Sequence, residues 1–187
     1  MTGKVTLTSE DDCWRVEVVP GRSDSFWNSQ AADDDQEGLA KICRLCLEPL
    51  QAYPIVDDIQ IGRLALIVRR WIPVDDPAIA LTSQFCKPEL VEVKYDTAPF
   101  RHSQDFELHN RKRYKSGVKG VFINSWIRCR SNVRVHDQPA ITVEQDLNTL
   151  SEDLESNAFH RDQIEEYFAW AVEEADRILS LYFPGSG

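Results

Sequence analysis

The sequence predicts an α+β fold: a single domain over residues 1–187 with a mostly antiparallel sheet, helices on one face and a long C-terminal helix. Three observations predict it. The last strand-like segments follow one another with no helical period between them, which calls for antiparallel pairing. Two of them alternate: Val121, Ile123, Ser125, Ile127 and Cys129 fall on one side, against Phe122, Asn124, Trp126, Arg128 and Arg130 on the other. Then Ile164, Phe168, Ala171, Ala175, Ile178 and Tyr182 recur at helical spacing, a stripe that suits a helix laid on a sheet.

In chain order, residues 4–9 and 13–19 read as two short strands around a Glu10-Asp11-Asp12 turn, with Pro20-Gly21 as a stop. Residues 22–36 are polar and acidic and read as a surface loop. Asp33, Asp34 and Asp35 are consecutive, so they cannot all face one ion; they suit the start of a helix instead. That helix covers about residues 36–50, and its apolar stripe includes Cys43 and Cys46. The CxxC is therefore core-facing. No second CxxC or His pair completes a zinc set, so no metal is assigned.

Residues 60–72 form the most apolar strand, with Leu64, Leu66 and Val68 on a core face and Arg63, Ala65, Ile67, Arg69 and Trp71 opposite. Apolar residues on both faces predict a central position in the sheet. Asp75, Asp76 and Pro77 start a helix that runs to Phe85, with Ala78, Leu81 and Phe85 inward. Residues 87–104 are irregular apart from a strand at 90–94. Residues 105–114 form a strand with Phe106 and Leu108 inward, running into a basic hairpin over 111–120 with its turn at Gly117 and Gly120. Arg111, Lys112, Arg113, Lys115 and Lys119 there allow a phosphate contact. The same charges also serve to block edge-to-edge strand pairing, and we adopt that simpler reading.

In the strand over residues 141–148, Ile141, Val143 and Leu147 share the core side, and Glu144, Asp146 and Asn148 the other. The closing helix spans residues 160–182. Its apolar arc covers about half the circumference, more than one sheet face needs. Trp170, Glu174 and Leu181 on its flank therefore predict an interface with a partner or a second copy, and Glu174 should find an arginine or sit at the boundary of the buried region.

Composition narrows the function. The net charge is −10, which argues against general binding to a nucleic-acid backbone while leaving room for a local basic patch. No apolar run of about 18 residues predicts a membrane helix. The opening MTGKVTLTSEDD has no signal-peptide h-region, and five cysteines read as free thiols, so the expected location is the cytoplasm. No GxSxG, P-loop, dinucleotide fingerprint or HExxH occurs. His102, His109, His136 and His160 lack local partners. No catalytic residue and no cofactor is assigned.

What remains is the sheet face opposite the core: Arg63 and Arg69, then Asn124, Trp126, Arg128 and Arg130, then Glu144, Asp146 and Asn148. It reads in two ways. An Arg fork beside a Trp platform binds an anionic or peptide ligand. Alternatively, the acids and bases neutralise one another. The expected function is a non-enzymatic binding or assembly protein acting through this face and the C-terminal helix. The alternatives are a small enzyme using Arg128 with Glu144 or Asp146, and a chaperone-like binder of extended peptides. The segments IGRLALIVRRWIPVDDP and VEQDLNT, with the closing helix, resemble a sporadically distributed prokaryotic family of uncharacterised α+β proteins over the C-terminal two-thirds. The chain lacks the apolar Pro-Pro opening expected of that family. The resemblance implies a fold and, by association, accessory cargo of defence or toxin–antitoxin neighbourhoods.

Overall fold

The computed structural model describes residues 4–10, 14–19, 22–27, 36–52, 61–92, 98–118, 120–150, 152 and 158–182. Cys13, Pro20, Gly21, Asp33, Asp34, Asp35, Pro54 and Lys119, and the ends of the Glu10-Asp11-Asp12 turn beyond Glu10, lie outside these residues. The chain divides into two compact units, Met1–Ile59 and Gln60–Gly187.

In the first unit, β1 (Val5–Thr8), β2 (Trp14–Val19) and β3 (Arg22–Trp27) form an antiparallel sheet in the order β1-β2-β3. The expected acidic loop over 22–36 therefore begins as a strand. Composition misleads here because cross-strand pairing compensates for it. Glu17 lies opposite Asp24, and cations offset the two acids: Lys4 and Arg15 sit 2.8 and 3.4 Å from Glu17, and Arg22 sits 2.7 Å from Asp24. Arg15 also lies 4.5 Å from the Phe26 ring centroid. The helix α1 (Gln36–Ala52) follows. Cys43 is buried in it, and burial pushes its thiol up to about 12, with Cys46 adding to the shift, so the group is protonated and inert at neutral pH.

In the second unit, β4 (Ala65–Pro73), β5 (Glu107–Lys115), β6 (Phe122–Val135) and β7 (Gln138–Thr149) form an antiparallel sheet in the order β4-β7-β6-β5. The expectation of a central β4 is corrected: β4 is an edge, and β7 is held between β4 and β6. The apolar residues on the second face of β4 are not buried by a second layer, since Ile67 is 61% and Trp71 37% exposed. Trp71 instead sets its ring against His136, with centroids 5.6 Å apart. β5 is the other edge, as its charges suggest.

The helices are α2 (Pro77–Phe85), the short α3 (Pro88–Val91) and α4 (Arg161–Leu179), which ends in a single 3-10 turn, Ser180–Tyr182. α3 replaces the start of the strand expected at 90–94, the rest of which is mostly outside the described residues. Pro88 in its first turn is pre-set for a helix start, and Glu89 beside it suits the positive end of the peptide dipoles. Ile123, Ile127 and Cys129 of β6 and Ile141, Val143 and Leu147 of β7 are buried on the face that receives α2 and α4. Tyr167 lies at the centre of the α4 contact and is fully buried, its hydroxyl donating to the Leu147 carbonyl at 2.7 Å. Arg70 of β4 reaches Asp176 of α4 at 2.9 Å. Phe85, expected inward, is 36% exposed and packs against the Tyr182 ring at 5.6 Å.

Candidate functional site

Alternation fixes what the other face of this sheet carries, and the register aligns it in rows. One row reads Arg111, Trp126, Asp146, Ile67 across the four strands. The next, toward the β5–β6 turn, reads Arg113, Asn124, Asn148, Ala65. On the other side of the Trp126 row lie His109, Arg128, Glu144, Arg69, and then Glu107, Arg130, Thr142, Trp71. The structure thus brings Arg69, Asn124, Trp126, Arg128, Arg130, Glu144, Asp146 and Asn148 onto one surface, with Arg63 just before β4.

The rows divide into two halves. In the first, Glu144 is the hub. It accepts hydrogen bonds from Arg69 Nε at 3.0 Å and Arg128 NH1 at 2.5 Å. Burial raises the affinity of its carboxyl for a proton, but the hydrogen bonds and charges of the two arginines outweigh burial and hold it below the usual carboxylate range. The Arg128 guanidinium also stacks 4.0 Å from the Trp126 ring centroid. Arg130 is 3.5 Å from Glu107. In this half each arginine has a carboxylate partner.

The second half is a cleft of about 210 Å³ between β5, β6 and β7. Arg63, Arg111, Arg113, Asn124, Trp126, Asp146, Asn148, Leu150 and Glu152 line it. Arg111 Nε donates to Asn124 Oδ1 at 2.8 Å, and Asn148 Nδ2 donates to Asp146 Oδ1 at 2.7 Å. Arg113 pairs with Glu152 at 2.6 Å. Among the described residues neither Arg63 nor Arg111 forms an ion pair with a carboxylate. Asn124 and Asn148 lie directly opposite each other and are 9% and 4% exposed. Asparagine is depleted in strands, so a buried Asn pair in mid-sheet is a local rule broken, which is characteristic of functional sites.

Arg111 and Arg113 were expected at a hairpin tip rather than in this cleft. They lie on β5, whose odd-numbered residues share the face of Trp126; extending the alternation one strand further would have found them. Lys112 belongs to the opposite face, with its Nζ 4.5 Å from the Tyr114 ring centroid. Of the residues expected at an interface, Trp170 is half-buried beside Tyr114 and Tyr167, with ring centroids 6.3 and 6.2 Å away. It lies so close to Gly117 that a Cβ there would stand 2.6 Å from Trp170 Cδ1. Glu174 does find an arginine, Arg177 at 2.9 Å, and also accepts from the Tyr114 hydroxyl at 2.9 Å. Leu181 is 63% exposed.

The chemistry available here is recognition more than proton transfer. A carboxylate gripped by two arginines is a weak base at neutral pH. Burial raises the Cys129 thiol to about 12, which leaves it protonated. Among the described residues no group of three or more His, Cys, Asp and Glu side chains is placed to hold a metal ion, and no helix is long and apolar enough to cross a membrane. No protein-family model, no curated protein and no solved structure matches this chain.

Proposed function

We propose that this chain is a non-enzymatic binding protein that receives an anionic group of its ligand in the cleft on the sheet face. One contrast carries the reading. Glu144 satisfies Arg69 and Arg128, whereas Arg63 and Arg111, on the same face, have no carboxylate partner among the described residues. A guanidinium left without a counter-charge beside amide donors and an indole is suited to a forked contact with an oxyanion. The low proton affinity of Glu144 disfavours an enzyme that uses Glu144 as its base, because Glu144 is not poised to accept a proton near neutral pH.

Tripolyphosphate, a bare polyanion with no base or peptide attached, tests this reading by calorimetric titration. The wild type should bind it, and Arg63→Ala with Arg111→Ala should abolish the heat. Arg69→Ala, which removes an arginine already paired with Glu144, should bind nearly as the wild type does. Absence of binding to the wild type, or equal losses in all variants, would refute a dedicated anion cleft.

A further inference from the structure

The charge of the sheet face is opposite to that of the chain. Among the described residues, Arg111, Arg113 and Lys115 on β5, with four further arginines on β4, β6 and the segment before β4, share this face with four carboxylates, Glu107, Glu144, Asp146 and Glu152. Those residues sum to +3, opposite in sign to the −10 of the full sequence. Such segregation raises the local concentration of polyanions despite the overall charge.

The cations are also ordered. Arg111, Arg113 and Lys115 alternate along one edge strand, so they span about 14 Å in a line at the strand rise of about 3.4 Å per residue. Beside that line, on the neighbouring strand, two aromatic rings lie on the same face: Phe122, 45% exposed and opposite Lys115, and Trp126, opposite Arg111. Each has a cation against it, Lys115 Nζ at 5.6 Å from Phe122 and Arg128 at 4.0 Å from Trp126. Asn124 lies between the rings along β6, and Asn148 is opposite it.

We infer that this face binds single-stranded nucleic acid, with the phosphates along Arg111, Lys115 and Arg113, whose half-exposed pair with Glu152 gives way to a phosphate, and unstacked bases against Phe122 and Trp126. The inference rests on the anion-binding reading above and names the ligand class. A row of cations beside a row of aromatic plates is how sequence-tolerant single-strand binding is built, since every base offers a π-face. A duplex keeps its bases stacked on one another and would leave the rings unused. An acidic peptide would satisfy the arginines but has no general use for the plates.

Fluorescence anisotropy with labelled oligothymidylate and oligouridylate of about 12 nucleotides, within the site size of such platforms, provides the test. Both strands should bind, and the same sequence annealed to its complement should bind less tightly. With about three phosphates neutralised, log affinity against log salt should fall with a slope of about −2. Arg111→Glu with Arg113→Glu should weaken both oligonucleotide and tripolyphosphate binding. Phe122→Ala should weaken the oligonucleotide about tenfold, within the range of one lost base stack, and leave tripolyphosphate unchanged. Circular dichroism of each variant controls for folding. If tripolyphosphate binds through Arg111 while Phe122→Ala has no effect on the oligonucleotide, or if poly-glutamate binds more tightly than either strand, the nucleic-acid assignment falls and the anion cleft stands. If neither tripolyphosphate nor oligonucleotide binds at about 100 µM, the weak end of non-specific association, both fall.

Discussion

Gln145 is the residue at which local chemistry and burial disagree most. It sits in β7 between Val68 and Ile127, fully buried on the side of the sheet that receives the helices. Neither atom of its amide has a hydrogen-bond partner among the described residues. A buried polar group without a partner costs about 1–3 kcal/mol, whereas an apolar side chain of similar size costs nothing of the kind. Gln145→Leu should therefore raise the urea midpoint with an unchanged slope; a fall would mean that the amide is satisfied within the fold. Glu144 supports the opposite kind of prediction, one of pH. Burial alone would raise its carboxyl above the ordinary 4.5, but Arg69 and Arg128 prevail and lower it. A carboxyl depressed in the folded state stabilises the fold above its unfolded value and loses that contribution as pH falls through the folded one. Wild type should thus lose stability below pH 4.5 more steeply than Glu144→Gln, measured by thermal melts across that range. The role of Glu144 is legible in the sequence because alternation puts it on the same face as Arg128, and antiparallel pairing of the two strands brings the acids of that face beside its arginines. Gln145 is not legible in the same way, since a Gln between Glu144 and Asp146, on the strand face of Val143 and Leu147, gives no sign of whether its amide finds a partner.

At the scale of elements, the β6–β7 hairpin shows how far pattern carries. Its strands and the sides they bury follow from a period of two, whatever their neighbours are. Its turn needs more. His136 and Asp137 form the two-residue connection with φ of 49° and 63°. Positive φ at both positions is the type I′ geometry, which matches the twist of paired strands and favours Asn-Gly. Asp137 tolerates it, helped by Arg134, which donates to the Asp137 carbonyl. Asp137→Gly should relieve the left-handed strain and stabilise the hairpin by about 1 kcal/mol, read as a higher thermal midpoint. No change would show that the Arg134 contact already offsets the strain. Elements were misread where an interaction distant in sequence decided the outcome. β3 has a loop's composition and is a strand because β2 pairs with it. β4 has the apolar content of a central strand and is an edge because β7 is flanked on its other side by β6. Period-two reasoning assigns faces, but strand order depends on which segments meet, and no single segment contains that information.

At the scale of the whole molecule, the net charge conceals the arrangement that matters. A chain of −10 argues against general binding to a nucleic-acid backbone, and from the sequence an anionic ligand is expected only at the arginines of the sheet face or as a local phosphate contact of the basic hairpin. Folding brings Arg63, from before β4, to the same end of one face as Arg111, Arg113 and Lys115 of β5. This contrast with the net charge predicts opposite responses to salt. Mutual repulsion among the excess acids disfavours the compact state, and added salt screens it, since the Debye length falls from about 10 Å at 0.1 M to about 3 Å at 1 M. The thermal midpoint should therefore rise with sodium chloride. Binding of tripolyphosphate at the cationic cleft should fall over the same range, because there the screened interaction is attractive. The two measurements made on one sample series separate the segregated arrangement from its alternative. Were the fold held chiefly by ion pairs such as Arg70–Asp176 and Arg128–Glu144, stability and affinity would decline together as salt is added.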